Sequence, residues 1–137
     1  MHNYYQLFYH LIWSTKNREP LVTVEIEKLL TIFLPTKIKI IGGNCYAIGI
    51  VSDHIHLDLS IPPNISISSF VQKIKGSSAY SINNTFLNQH FNWQSGYGVL
   101  SFSKKSLPYI EEYIKNQKNH HQGNSLLGQL ECDHEVE

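Results

Sequence analysis

Ser52-Asp53-His54-Ile55-His56-Leu57-Asp58-Leu59-Ser60-Ile61-Pro62-Pro63 alternates polar and apolar residues from His54 to Ile61, and two prolines then stop it. Successive side chains of a strand point to opposite faces, so this pattern puts His54, His56 and Asp58 on one side. Ile55, Leu57, Leu59 and Ile61 fall on the other, which can build a core. Two imidazoles and a carboxylate on one face suit a divalent metal better than they suit packing.

The neighbouring segments supply the rest of a sheet. Asn44 to Val51 reads as a strand that runs almost directly into the His54 strand, so the two predict a hairpin. Upstream, Tyr5 to Ser14 is aromatic and apolar and predicts a first strand, broken by Asn17-Arg18-Glu19-Pro20. Thr23 predicts a helix cap, with Glu25 and Glu27 at the positive helix end. Val24, Leu29, Leu30, Ile32 and Phe33 form that helix's expected apolar side. Pro35 is expected to end it, followed by a short strand over Lys37 to Ile41 and a Gly42-Gly43 turn. Downstream, Ser66 predicts a cap for a second helix whose buried face is Ile67, Phe70, Val71 and Ile74. Residues 85–98 read as a loop and Val99 to Ser103 as a strand. Ser106 and Pro108 open a last helix to about His120. Strand, helix, strand, strand, helix, strand, helix predicts an α+β sandwich of the ferredoxin-like (RRM-like) kind: an antiparallel sheet with helices on one face and a further C-terminal helix. One domain over residues 1–123 and a polar, acidic tail over 124–137 are expected.

Composition agrees with a single folded domain. The chain has 137 residues, and 42% are hydrophobic, enough for a core. Its formal charge is zero, but Glu131, Asp133, Glu135 and Glu137 crowd the last seven positions. Residues 1–130 carry 11 basic against 7 acidic side chains, a net +4 that is compatible with a nucleic-acid partner. Cys45 and Cys132 are too few for a disulfide framework or a zinc cage, and are expected to be free thiols in a reducing compartment. The amino terminus lacks the plan of a signal peptide. No run approaches the roughly 20 apolar residues of a membrane helix, so no membrane partner is expected.

The last helix adds a second chemical element. Tyr113 and Gln117 lie about 40° apart around the helix axis and one turn from each other. The core stripe there is Leu107, Ile110 and Ile114, with Tyr113 and Gln117 on its shoulder. A tyrosine at such a rim can act as a nucleophile, and a glutamine carbonyl oxygen can ligate a metal.

Together these segments resemble the HUH-type single-tyrosine transposases of small bacterial insertion sequences, close to the REP-associated tyrosine transposases. His54-Ile55-His56 matches the family's His-hydrophobic-His motif. Trp93-Gln94-Ser95-Gly96-Tyr97-Gly98 matches a segment before its last strand. Tyr113, Gln117, His120 and His121 match its catalytic helix, and Tyr9 to Lys16 its first strand. The resemblance spans about residues 4–121. It implies that Tyr113 is the catalytic nucleophile and that His54, His56 and Gln117 ligate a divalent metal, Mg²⁺ or Mn²⁺. It further implies cleavage and strand transfer of single-stranded DNA through a 5′-phosphotyrosine, recognition of hairpin DNA, a homodimer, and a bacterial cytoplasmic location beside the nucleoid. Asp58 departs from the family, which tends to be apolar there. It is open as a further ligand, as a partner that orients an imidazole, or as a solvated residue beyond the site, since two residues along a strand is about 6.6 Å.

Other residues carry two readings each. Lys73 and Lys75 on the second helix, and Lys104 and Lys105 before the last, are candidate phosphate contacts or a solvated face. Trp93 and Tyr97 are candidate base-stacking residues or part of an aromatic loop packed on the sheet. His120 and His121 are candidate phosphate contacts or a helix cap. Tyr109 is the rival nucleophile, but only Tyr113 has a glutamine at the matching spacing. The alternatives to a transposase are a non-catalytic DNA-hairpin-binding protein and a histidine-triad nucleotide hydrolase, whose third histidine would stand where Asp58 is.

Overall fold

The computed structural model describes residues 4–116. Its strands are β1 (Phe8–Ser14), β2 (Asn44–Ile50), β3 (His54–Ser60) and β4 (Gly98–Phe102). Its helices are α1 (Val24–Ile40), α2 (Ile67–Thr85) and α3 (Leu107–Lys115). The strands form one sheet in the order β2-β3-β1-β4, every neighbouring pair antiparallel. This is the ferredoxin-like arrangement, with the His54 strand in the middle of the sheet.

One face of the sheet holds the main core. Leu11 and Trp13 of β1 and Ile55, Leu57 and Leu59 of β3 pack against Ile26, Leu30, Leu34 and Ile38 of α1 and Phe70, Val71, Ile74 and Ile82 of α2. Both helices begin at the expected caps: Thr23 accepts from the backbone N–H of Ile26, and Ser66 from that of Ser69. The opposite face is covered by α3, which packs on β2 and β3 through a smaller cluster of Ala47, Ile110 and Ile114.

Two expectations for the first helix are corrected. α1 does not stop at Pro35 but continues to Ile40, so there is no strand over 37–41. Its buried stripe is Ile26, Leu30, Leu34 and Ile38, spaced four apart, whereas Val24 and Ile32 are 66% and 74% exposed. The cost of a proline inside a helix is about 3 kcal/mol. Burying Leu34 and Ile38 on either side of it, at about 1.5–3 kcal/mol each, offsets that cost.

Gly42 takes a φ of +99°, which glycine tolerates and other residues rarely do, and so turns the chain from α1 into β2. Gly43 is required for a different reason. A Cβ there would stand 2.5 Å from the carbonyl oxygen of Ser60 and 3.0 Å from the Phe70 ring. A backbone carbonyl at the end of β3 cannot step aside without shifting the strand. Gly43→Ala is therefore expected to destabilise the fold by about 2–3 kcal/mol, read as a lower denaturant midpoint with unchanged slope.

Candidate active site

The alternation of β3 has the expected outcome: His54, His56 and Asp58 face α3, and Ile55, Leu57 and Leu59 face α1 and α2. Pairing with β1 sets Ser14 opposite His54, Ile12 opposite His56 and His10 opposite Asp58. Around β3 this second face is as dry as the first. His54 is 1% exposed, and His10, His56 and Asp58 are fully buried.

The His54 and His56 rings lie 5.2 Å apart between centroids, at 72° to each other. Each has its Nδ1 engaged. The Nδ1 of His54 is 2.7 Å from Oδ1 of Asp53, whose Oδ2 accepts from Arg18 at 3.2 Å. Burial raises the Asp53 carboxyl, but the hydrogen bond from His54 and the charges of His54 and Arg18 outweigh it and hold the group below its ordinary value. An ionised Asp53 makes His54 the donor at Nδ1, which puts the lone pair of the neutral ring on Nε2. The Nδ1 of His56 is 2.8 Å from Nε2 of His10.

The turn that delivers Arg18 is strained. Asn17 and Arg18 adopt φ values of 58° and 53°, in the left-handed region that non-glycine residues seldom occupy. The Asn17 N–H donates to Oε1 of Gln94 at 3.0 Å and Arg18 pairs with Asp53, while the N–H groups of Arg18 and Glu19 donate to the carbonyls of Thr15 and Lys16.

Tyr113 reaches this cluster from α3. Its ring meets the His56 ring edge-on at 6.5 Å between centroids, and its hydroxyl is buried. Tyr109, one turn earlier, is 70% exposed. Glu111, on the other flank of the Ile110–Ile114 stripe from Tyr113, brings a negative charge near Asp58. Asp58, buried beneath, has its pKa raised to about 7, first by burial and then by Glu111. Neither Asp58 carboxylate oxygen accepts a hydrogen bond among the described residues, so it is neither solvated nor tied to an imidazole there.

Among the described residues no three His, Cys, Asp or Glu side chains are arranged to hold a metal ion. Two adjacent imidazoles, each with its Nδ1 engaged, nevertheless suit a divalent ion that takes its remaining donors elsewhere. Gln117, the expected third ligand, lies outside the described residues, as do His120, His121, Cys132 and the 124–137 tail. Cys45 is a free thiol, half-buried, with its pKa pushed up to about 11 by burial and by the charge of Asp58.

The remaining candidates separate. Lys75, Trp93 and Tyr97 line one open groove of about 530 Å³ between α2 and the following loop. Lys73, Lys104 and Lys105 are exposed and line no part of it. Within the groove, Lys75 is committed to the loop: its Nζ donates to the carbonyls of Gln94 at 2.6 Å and Gly96 at 2.7 Å, and burial lowers its pKa to about 8. Trp93 donates from Nε1 to Ser78 and packs edge-on against Trp13 and Phe91. Asn83 fastens the same loop by bonding both the N–H and the carbonyl of Phe91. Lys75→Met strips the half-buried Gln94 carbonyl and the exposed Gly96 carbonyl of their shared donor. It is expected to cost about 1–3 kcal/mol and lower the melting temperature with no DNA present.

His10, Arg18 and Asp53 are the site residues that sequence reasoning missed. His10 alone carried a signal, a histidine among apolar residues in β1. It also puts a third histidine on the face, but from a different strand and already bonded to His56.

The family model described as "Transposase IS200 like" matches residues 3–117. The ISDra2 transposase TnpA of Deinococcus radiodurans is 30% identical over 119 residues, covering 82% of this chain and 85% of that protein. The transposase for insertion sequence element IS200 of Salmonella typhimurium is 29% identical over 127 residues, covering 85% and 80% respectively. A crystal structure from Deinococcus radiodurans, assigned as a transposase, superposes with a TM-score of 0.69 at 30% identity, covering 85% of this chain and 95% of that one. The REP-associated tyrosine transposase bound to a REP hairpin shares the fold, with a TM-score of 0.65 at 15% identity over 88% of this chain and 74% of that one.

Proposed function

The chain belongs to the IS200-like transposase family, and on that premise we propose that it cuts and rejoins single-stranded DNA by transesterification at the face between β3 and α3. The observation that carries this reading is the meeting of Tyr113 with His56 across that interface, 6.5 Å between ring centroids, while Tyr109 points to solvent.

In this mechanism the Tyr113 oxygen loses its proton and attacks a backbone phosphorus. A tyrosyl–phosphate bond forms and the bond to the 3′ oxygen breaks, leaving a 5′-phosphotyrosine and a free 3′-OH. A second 3′-OH then attacks the phosphotyrosine, restores the phenol and seals the new junction. The covalent bond conserves the phosphodiester energy, so no nucleotide cofactor is needed. His54 and His56, with Gln117, would hold Mg²⁺ or Mn²⁺ through nitrogen and amide oxygen. When bound, such an ion polarises the scissile phosphate and stabilises the departing oxygen. Asp53 fixes the His54 ring through Nδ1, and the burial of its hydroxyl keeps bulk water from the Tyr113 phenol.

The DNA substrate in this reading is a hairpin with a single-stranded flank, in line with the hairpin-bound neighbour. The protein acts as a homodimer in the cytoplasm. No helix among the described residues is long and apolar enough to cross a membrane. The test is incubation with labelled single strands carrying the ends of the element that encodes the chain, with Mn²⁺ or Mg²⁺. A denaturation-resistant protein–DNA adduct that needs the metal is expected. Its absence on the correct ends would overturn the reading.

A further inference from the structure

We propose that His10 is a positioning residue for the metal site: it accepts a hydrogen bond from Nδ1 of His56 and so holds that imidazole with its lone pair on Nε2. The proposal rests on the metal-dependent reading above and concerns how one of its two ligands is prepared.

The geometry is direct. Nε2 of His10 stands 2.8 Å from Nδ1 of His56, with the ring centroids 4.9 Å apart. Both residues are fully buried on the α3 side of the sheet. Between two neutral imidazoles at this distance one nitrogen must carry the proton and the other the lone pair. If His10 donated, His56 would carry its proton on Nε2 and could not offer that nitrogen to a cation. If His56 donates, its Nε2 becomes the basic nitrogen. Only the second arrangement makes His56 a ligand, and it requires an acceptor where His10 stands.

The parallel with His54 supports this assignment. There the Nδ1 proton is taken by the Asp53 carboxylate at 2.7 Å, in turn held by Arg18. Metal-binding histidines commonly donate their other N–H to an oriented acceptor, which fixes both the tautomer and the ring plane. His54 uses a charged acceptor at the edge of the site. His56 lies deeper, and its acceptor is a neutral ring from the adjacent strand, which adds no buried charge. A histidine in the middle of an otherwise apolar strand is costly unless it is hydrogen-bonded, and His56 supplies the bond.

The experiment is a Mn²⁺ titration of the full chain without DNA, following free Mn²⁺ by electron paramagnetic resonance. It compares wild type with His56→Ala, His10→Leu and His10→Gln. His10→Leu is expected to weaken Mn²⁺ binding roughly 10–100-fold. His10→Gln, whose amide oxygen can accept from Nδ1, should recover most of the loss. Imidazole ¹⁵N spectra of the metal-free wild type should show His56 protonated on Nδ1, a readout that stands even if His10→Leu does not fold. Full Mn²⁺ affinity in folded His10→Leu, alongside loss in His56→Ala, would overturn the role of His10 and leave the metal site standing. His56 protonated on Nε2 in the wild type would do the same. Undiminished binding in His56→Ala would instead sink the metal reading itself.

Discussion

Tyr113→Phe is expected to abolish the covalent protein–DNA adduct, by roughly a thousandfold or more in rate, while leaving DNA binding intact. The substitution removes one oxygen and keeps the ring that packs edge-on against His56. The small α3 cluster around Ile110 and Ile114 is unchanged, so any loss reports on chemistry and not on folding. Tyr109→Phe is the control. That side chain is 70% exposed and lies a full turn away, so its adduct yield should match the wild type. An adduct persisting in Tyr113→Phe, mapped by mass spectrometry to another tyrosine, would remove Tyr113 from the mechanism.

Asp58→Asn is expected to stabilise the protein at neutral and alkaline pH by up to about 4 kcal/mol and to do nothing of the kind near pH 3. The folded-state pKa of Asp58 is raised from 3.8 to about 7. Below about pH 4 the carboxyl is protonated both folded and unfolded, and it contributes no pH-dependent cost. Between about 4 and 7 the unfolded chain loses this proton while the native state keeps it, so stability falls with rising pH. Above about 7 both states are ionised and the penalty is complete, about 1.4 kcal/mol for each pH unit of the shift. The measurable quantity is the stability difference between Asp58→Asn and wild type from pH 3 to 8, which cancels the titration of the histidines. Glu111→Gln should recover only the smaller share, since burial is the larger cause. A difference that stays flat with pH would show that Asp58 is not held protonated.

Sequence reasoning succeeds here where one periodicity controls one element. β3 is legible because alternation over His54 to Ser60 has a single reading, and its central place in the sheet then follows from the order of elements. α2 is legible from a serine cap and a regular apolar face. α1 misleads because a local rule and a tertiary one disagree. Pro35 argues for a stop, and only the position of the sheet beneath Leu34 and Ile38 shows that continuing is favourable. The β3 pair is visible as two histidines two apart, but their partners are not. His10 lies 46 positions before His56 and meets it only through the β1–β3 register. Arg18 reaches Asp53 through two consecutive left-handed residues, of which Asn17 is a type that tolerates that region and Arg18 is not. Lys75 reads as a surface cation until the loop it fastens is in view.

The two apolar clusters on opposite faces of the sheet have a consequence for how the enzyme can move. α1 and α2 are fixed by a core of many large side chains, whereas α3 is seated by a smaller cluster in which Ile110 and Ile114, each worth about 1.5–3 kcal/mol, pack with Ala47, Leu100, Phe102 and Tyr113. The contacts that seat the helix bearing the phenol are thus separate from those that pack α1 and α2 on the other face, and the smaller set is expected to open at lower cost. Under the proposed mechanism, the tyrosine that would take up a DNA end stands on the helix with the smaller apolar seat.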